Sequence, residues 1–110
     1  MGGSEGENPQ TSLMRIVILD KAEDDLVEGF QFYESQHLGL GSYFLDSLYS
    51  DIDSLSLYAG IHRVVYRGYH RMLSKRFPFA IYYMVTSDAA LVHAVVDCRR
   101  SPAWIRQHLA

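Results

Sequence analysis

The chain has 110 residues, 48% of them hydrophobic and 13% aromatic. This length and composition are sufficient for the hydrophobic core of one domain and exclude a globally disordered chain. No apolar run approaches the roughly 18–20 residues of a membrane-spanning helix, and no secretion signal is recognisable, so a cytosolic protein is predicted. The net charge of −3 is divided, because residues 1–60 carry −9 and residues 61–110 carry +6, which predicts an acidic face and a basic face.

The first 13 residues, MGGSEGENPQTSL, are glycine-rich and polar and show no hydrophobic periodicity. They are predicted to form a flexible lead before a single folded domain at residues 14–110, with Met14 as a candidate natural start. The next segment, RIVILD at residues 15–20, is rich in β-branched residues and is predicted to be a strand inside a sheet.

A helix is predicted to begin at Asp20, whose side chain would accept a backbone N–H while Glu23 occupies the first turn. Apolar residues then recur every three or four positions, with carboxylates on the other faces: Ala22, Leu26, Phe30 and Tyr33 against Asp24, Asp25 and Glu28. This spacing is typical of an amphipathic helix.

The segment HLGLGS at residues 37–42 is predicted to break that helix, because Gly39 and Gly41 tolerate a positive φ and Ser42 can cap a second helix. A second apolar stripe follows at the same period and runs to about residue 57: Leu45, Leu48, Ile52 and Leu55. Two helices joined by a short turn predict an antiparallel helical hairpin.

Three strands are predicted after the hairpin, at residues 69–77, 79–85 and 91–97, with TSDAA as a tight connection between the last two. Pro78 cannot donate a ladder hydrogen bond, so it is expected at the bend between two strands. His93 is expected to be a hydrogen-bonded core histidine, and Tyr82 and Tyr83 are expected on opposite sheet faces.

The last segment is predicted to be a short helix, AWIRQHL, that Ser101 caps and Pro102 opens. Trp104 on this helix is expected to pack back on the sheet. The single cysteine, Cys98, excludes an internal disulfide and is expected to be a small buried residue. The element order β-α-α-β-β-β-α predicts an α+β fold in two layers, a helical hairpin on a mainly antiparallel sheet.

A basic patch is predicted on the sheet, from cations near the ends of two strands: Arg71, Lys75, Arg76, Arg99 and Arg100. Aromatic residues, Tyr69, Phe77 and Phe79, are expected to frame it, and arginine beside aromatic side chains is common in recognition surfaces. The patch is therefore predicted to face solvent and to meet an anionic or protein partner.

Three segments together resemble the RelE/ParE superfamily of bacterial type II toxin–antitoxin systems: AEDDLVEGFQFYE with GLGSYFLDSL, then RMLSKRFPFAIYY, then VVDCRRSPAWI. The resemblance covers nearly all of the chain from Met14 onward. It implies a RelE/ParE-like fold and a small toxin, of the plasmid-stabilisation kind, that a cognate antitoxin neutralises, often within hetero-oligomers.

The two branches of this superfamily differ in chemistry. The RelE branch is similar to a ribosome-dependent mRNA endoribonuclease, whose basic residues and terminal tyrosine would correspond here to Arg71, Arg100 and position 106. The expected strand arginine is Ala80 here, and Arg106 replaces the tyrosine. The ParE branch is similar to an inhibitor of DNA gyrase, and the Arg-Arg-x-Pro ending, Arg99 to Pro102, favours it.

Three functions follow, in order of preference. The first is a ParE-like toxin that binds gyrase, with partner-binding residues Arg71, Lys75, Arg76, Phe77, Arg99, Arg100 and Trp104. The second is a divergent metal-independent ribonuclease with Arg71, Lys75, Arg76 and Arg100 for phosphate charge and His70 as the base. The third is a non-toxic peptide-binding domain. No cofactor and no metal site are predicted, and an enzyme is the less favoured reading.

Overall fold

The computed structural model describes residues 14–110, and the lead predicted at residues 1–13 lies outside that range. The elements are, in chain order, β1 (Arg15–Ile18), α1 (Asp20–Gln36), α2 (Leu40–Asp53), α3 (Leu55–Tyr58), β2 (Val64–Tyr66), β3 (Tyr69–Leu73), β4 (Phe79–Val85), β5 (Ala89–Asp97) and α4 (Pro102–Leu109). None of the helices within residues 14–110 has the length and apolar character needed to cross a bilayer.

The strands within the described residues form one five-stranded sheet in the order β1-β5-β4-β3-β2. β1 pairs parallel with β5, and the other neighbours are antiparallel. The predicted α+β fold is therefore confirmed in outline. Strand β2 was not predicted, because three residues are too few to show a hydrophobic period. The second helix was predicted to run to about residue 57, but it ends at Asp53 and the short helix α3 follows it.

Alternation along β4 divides the core between the two faces of the sheet. Ile81 and Tyr83 pack under the α1–α2 hairpin, whereas Ala80 and Tyr82 face α4. Tyr82 and Tyr83 thus lie on opposite faces, as predicted, and both are buried. Helix α4 covers only part of its face, so side chains of β3 beside it stay open to solvent.

A register shift interrupts the alternation in β5. Tyr83 pairs with Val92 and Tyr82 with Ala94, so His93 is the extra residue of a β-bulge. The bulge places both Val92 and Val95 on the hairpin side, although they are three residues apart. His93 therefore faces the α4 side, close to Tyr69 rather than within the main core.

Both helices of the hairpin start differently from the prediction. The N-cap of α1 is Leu19 and no side chain caps it, so Asp20 is the first helical residue rather than the cap. The N-cap of α2 is Gly39, at φ +90°, and Ser42 lies inside the helix. The carboxylate of Glu34 performs the capping instead, since it accepts from the backbone N–H of Gly39 at 3.0 Å and of Gly41 at 2.9 Å.

The strand predicted at residues 69–77 ends at Leu73, because a turn at residues 74–78 leads into β4. Ser74 closes this turn by donating its backbone N–H to the Phe79 carbonyl at 2.8 Å. Pro78 lies at the bend, as predicted. Cys98, predicted to be buried, is exposed, because it follows the last residue of β5 in the turn towards α4.

The predicted start of the last helix is confirmed. The hydroxyl of Ser101 accepts from the backbone N–H of Trp104 at 3.1 Å, and Pro102 is the first helical residue. Proline suits that position because its missing N–H would have no partner inside the helix.

Candidate functional site

Three arginines line one cavity of about 380 Å³ on the α4 side of the sheet, here called the arginine cavity. Its lining residues are Val65, Tyr66, Arg71, Tyr82, Cys98, Arg100, Pro102, Ile105, Arg106 and Leu109. The cavity thus combines three guanidinium groups with an apolar and aromatic wall. No carboxylate is part of that lining.

Each arginine reaches the cavity from a different element. Arg71 is on β3 and shares the sheet face of Tyr82, its cross-strand neighbour. Arg100 comes from the turn after β5, and Arg106 comes from α4. The ion pairs among the described residues join Arg15 to Asp88, Arg99 to Asp97 and His108 to Asp25, and none includes an arginine of the cavity.

Arg100 begins a stack that crosses the end of the sheet. Its guanidinium lies 4.2 Å from the centre of the Trp104 ring, and that ring stacks on His108 with centres 4.7 Å apart and planes 13° apart. Arginine over an indole face is a cation–π contact. Trp104 is partly buried against the α4-side core, as predicted, and it also forms part of a second cleft.

The second cleft, about 420 Å³, lies where α1 passes the part of β5 that extends beyond β1. Its lining residues are Asp25, Glu28, Gly29, Phe32, Phe79, Val95, Val96, Asp97, Arg100 and Trp104. Arg100 is therefore shared with the arginine cavity, whereas the three carboxylates belong to this cleft only. We call it the carboxylate cleft.

Asp25 was predicted on a face of α1 other than its apolar stripe, but it is buried, with 9% of its surface exposed. Pairing between β1 and β5 ends at Val92, so the N–H of Val95 has no strand partner, and Oδ2 of Asp25 accepts it at 2.9 Å. His108 contacts Oδ1 at 2.9 Å. Burial nevertheless outweighs these hydrogen bonds and raises the pKa of the Asp25 carboxyl.

The single basic patch predicted from the sequence is not formed. Arg71 and Arg100 meet at the arginine cavity, but Arg99 binds Asp97 through two nitrogens and lies near Tyr33 on the hairpin side. That side-chain hydrogen bond is the main reason that the pKa of Asp97 is lowered. The sheet separates Arg71 from Arg99. Arg71 shares the α4 side with Tyr82, whereas the chain turns after Asp97 and directs Arg99 towards Tyr33 on the hairpin side.

The remaining predicted patch residues lie in or beside the turn that follows β3. Lys75 and Arg76 are exposed there, and the backbone N–H of Lys75 lies 3.3 Å from Oδ2 of Asp51 on α2. Phe77 packs on the hairpin side, with its ring 4.9 Å from that of Tyr33 and 5.2 Å from that of Phe44. It therefore frames the hairpin core rather than the arginines.

His70 lies on the opposite face from Arg71, as alternation along β3 requires. Its ring stacks on Tyr83 with centres 5.0 Å apart, and its Nδ1 lies 2.7 Å from the carbonyl of His62. His62 in turn lies 2.6 Å from the Tyr83 hydroxyl through Nδ1, and burial lowers its pKa. These contacts hold the loop before β2, and they direct His70 away from the arginine cavity.

His93 is partly buried, and its Nδ1 lies 3.5 Å from the Tyr69 hydroxyl, at the limit of a hydrogen bond. Its Nε2 is buried without a hydrogen-bond partner. Burial, with the charge of Lys21 as a second cause, lowers the pKa of the imidazole. Among residues 14–110 no group of His, Cys, Asp or Glu side chains is arranged to hold a metal ion.

Three residues that shape the site, Arg106, Asp25 and His108, were not predicted to belong to it. Arg106 carries no signal in the sequence beyond its place where the RelE branch has a terminal tyrosine. Asp25 is three positions from Ala22 and four from Gly29, which are both buried. This helical spacing could have predicted that Asp25 lies on the buried face of α1. The pairing of Asp25 with His108, 83 residues later, has no local signal at all.

No family model matches the chain, and no curated protein matches it. Among solved structures, a chain described as "Chromosomal ParDE TA system from P. aeruginosa" is similar, with a TM-score of 0.67 and 16% sequence identity. The match covers 77% of this chain and 96% of that chain. At such low identity the likeness shows the fold, and the predicted RelE/ParE-like fold is confirmed without a choice between the two branches.

Proposed function

We propose that this protein is the toxin of a type II toxin–antitoxin system, that it acts by binding another protein, and that a cognate antitoxin neutralises it. The observation that carries the proposal is the fold shared with a chain of a ParDE toxin–antitoxin system, over 96% of that chain. Fold alone does not determine chemistry, so the choice of mechanism depends on the site.

The composition of the arginine cavity favours binding over catalysis. Metal-independent cleavage of RNA needs a base for the 2′-hydroxyl proton and an acid for the leaving oxygen, besides cations for the phosphate. The lining supplies three arginines but no histidine, aspartate or glutamate. His70, the base predicted from the sequence, lies on the other face of the sheet.

DNA gyrase is the proposed target. The support is the Arg-Arg-x-Pro ending, Arg99 to Pro102, which is similar to the endings of ParE-like proteins. In the structure this segment leads from β5 into α4 and places Arg100 between the arginine cavity and the carboxylate cleft. A residue in that position is available to a partner that covers both cavities.

The antitoxin is proposed to cover apolar side chains that the hairpin leaves exposed. Val27 and Phe32 on α1 are 53% and 50% exposed, and Tyr43 on α2 is 49% exposed. Exposed apolar side chains next to a groove suit an amphipathic helix or an added strand. The proposed toxin–antitoxin complex would bury them.

The test of the target is a gyrase supercoiling assay with the purified protein. Inhibition is expected, and the Arg100→Ala variant should inhibit at least about tenfold less. Arg15→Ala is the matched control, because Arg15 is exposed, pairs with Asp88 and lies on the edge strand β1. A protein that stops growth in cells but leaves supercoiling unaffected would contradict gyrase as the target.

A ribonuclease is the second candidate, because three arginines without carboxylate partners are also able to hold a phosphate group. Its test is cleavage of messenger RNA on translating ribosomes. Cleavage that disappears in Arg71→Gln and Arg100→Gln, but persists in Arg15→Gln, would favour this candidate over protein binding.

A further inference from the structure

The arginine cavity concentrates the positive charge of three guanidinium groups. Arg71, Arg100 and Arg106 line it, the ion pairs among residues 14–110 include none of them, and the lining holds no carboxylate. Helix α4 lines the cavity along its whole length, from Pro102 to Leu109, so both ends of its dipole lie in the wall and the positive charge comes from the guanidinium groups.

The walls of the arginine cavity are apolar and aromatic. Val65, Tyr66 and Tyr82 come from the sheet, and Ile105 and Leu109 come from α4. A volume of about 380 Å³ is within the range of protein pockets that hold a compact group. This lining is suited to an acidic side chain that has an apolar neighbour. Arginine binds a carboxylate through two parallel hydrogen bonds, and the apolar wall can contact the neighbouring residue.

The carboxylate cleft beside the arginine cavity limits the negative charge that a bound molecule can carry outside the cavity. Arg100 separates the arginine cavity from the carboxylate cleft, where Asp25, Glu28 and Asp97 lie. A nucleic-acid strand places a phosphate at every nucleotide, so its binding depends on cations at several successive positions. A strand leaving the arginine cavity past Arg100 would meet three carboxylates, whereas a peptide needs only one anionic side chain.

The charge of the rest of the molecule favours the same occupant. Residues 1–60 hold eleven carboxylates and two cations, so long-range attraction to a polyanion is weak. A protein segment with a single acidic residue does not need such attraction, because its affinity comes from contacts inside the cavity.

We propose that the arginine cavity binds an aspartate or glutamate side chain from an extended segment of a partner protein, with Arg71 and Arg106 as its ligands. The identity of that partner as the antitoxin rests on the proposed function. The acidic residue enters the cavity between β3 and α4, and an adjacent apolar residue contacts Ile105 and Leu109. Occupancy of the cavity would also cover Arg100 and so block a target that needs it.

Two built-in reporters allow the cavity to be tested. Cys98 is exposed, lines the cavity and is the only cysteine of the chain, so its rate of alkylation by N-ethylmaleimide reports occupancy. Trp104 is the only tryptophan and carries Arg100 on its ring, so its fluorescence reports movement of that guanidinium. Both measurements use the full chain.

The first arm uses an acetylated tetrapeptide amide that alternates glutamate and leucine, its glutamine counterpart, and a short single-stranded RNA. The glutamate peptide is expected to protect Cys98, with a Kd at least about tenfold lower than that of the glutamine peptide. Arg71→Gln and Arg106→Gln should each weaken that binding about tenfold. Arg63→Gln, an exposed arginine outside the lining, should not change it.

Equal protection by the two peptides would overturn the inference, and so would equal losses in Arg63→Gln and Arg71→Gln. Protection by RNA at lower concentration than by the glutamate peptide would also overturn it, because the cavity would then serve a nucleic acid.

The second arm measures binding of the purified antitoxin encoded beside the gene. Weaker binding by Arg71→Gln and Arg106→Gln, but not by Arg63→Gln, supports the inference. If all variants bind the antitoxin as the wild type does, the inference fails and the proposed function stands. If the wild type binds no antitoxin, the proposed function fails, and the peptide arm alone decides whether the cavity binds a carboxylate.

Discussion

Nε2 of His108 lies 2.9 Å from Oδ1 of Asp25, and this contact fastens the last helix to the first across 83 residues of sequence. Lys21, one turn earlier on α1, donates to the carbonyl of His108 as well. The other oxygen of Asp25 accepts the N–H of Val95 at 2.9 Å. One carboxylate thus connects α1, the unpaired end of β5 and α4, the three elements that surround Arg100.

Replacing Asp25 is expected to destabilise the fold. Asp25→Ala leaves the buried N–H of Val95 without an acceptor, which should lower the free energy of unfolding by about 1–3 kcal/mol. Urea denaturation measures the change. Asp25→Asn keeps an acceptor and should lose less, and Asp24→Ala, at an exposed neighbour, should stay within about 0.5 kcal/mol of wild type. An Asp25→Ala variant as stable as Asp24→Ala would contradict this role.

Ser101 is expected to hold the start of α4. Ser101→Ala removes the acceptor of the Trp104 N–H and should cost about 1 kcal/mol of helix stability. Faster hydrogen exchange at the backbone amide of Trp104 would report the loss locally. Ser101→Asp retains a capping oxygen and should exchange as slowly as wild type; if the alanine and aspartate variants exchange alike, the cap is not stabilising.

Gly41 is required for the close approach of the two hairpin helices. A Cβ at this position would lie 2.7 Å from the carbonyl oxygen of Phe30 and 2.9 Å from Cβ of Glu34, and a backbone oxygen cannot move aside as a side chain can. Gly41→Ala should therefore destabilise the protein by about 1–3 kcal/mol in urea denaturation. Ser42→Ala, at the next and exposed position, is the control and should change little.

Stability is expected to fall as the pH drops below about 6.5. Burial lowers the pKa of His62, with His70 as a second cause, and burial also lowers the pKa of His93, with Lys21 as a second cause. Between the lowered pKa and the ordinary value of 6.5, the unfolded chain binds more protons than the folded one. Protonation therefore favours unfolding in that range. The stability that the neutral His62 and His93 contribute is fully present only above pH 6.5.

The measurement is the free energy of unfolding from pH 5.5 to pH 8 by urea titration. His93→Gln should flatten the rise with pH, because glutamine takes up no proton. His37→Gln, at an exposed histidine, is the control and should keep the wild-type slope. A His93→Gln variant with the slope of the wild type would show that His93 does not contribute to it.

The sequence predicted the long elements well, because periodicity is a local property. The bounds of β4 were predicted as observed, and α1 and α2 follow from apolar stripes. Contacts between distant residues were not predictable in the same way. The capping of α2 depends on Glu34, five residues before Gly39, and the bulge at His93 depends on pairing with Tyr82 and Tyr83.

The site was predicted only in part for the same reason. Strand alternation determines the face of Arg71 once the strand is known, but it gives no information on where the turn after Asp97 directs the next side chains. Arg99 turns back to Asp97, whereas Arg100 turns to Trp104, although the two arginines are adjacent. Cations that are close in sequence were therefore predicted to form one patch, although their side chains lie apart in the structure.

The central claim, that the protein is a toxin neutralised by an antitoxin, is tested most directly by induced expression in a bacterial host. Growth should stop on induction and resume when the neighbouring antitoxin gene is expressed together with it. The two proteins should then co-purify. Unimpaired growth, with the protein accumulated and folded, would contradict the claim and leave a peptide-binding domain of the same fold as the better account.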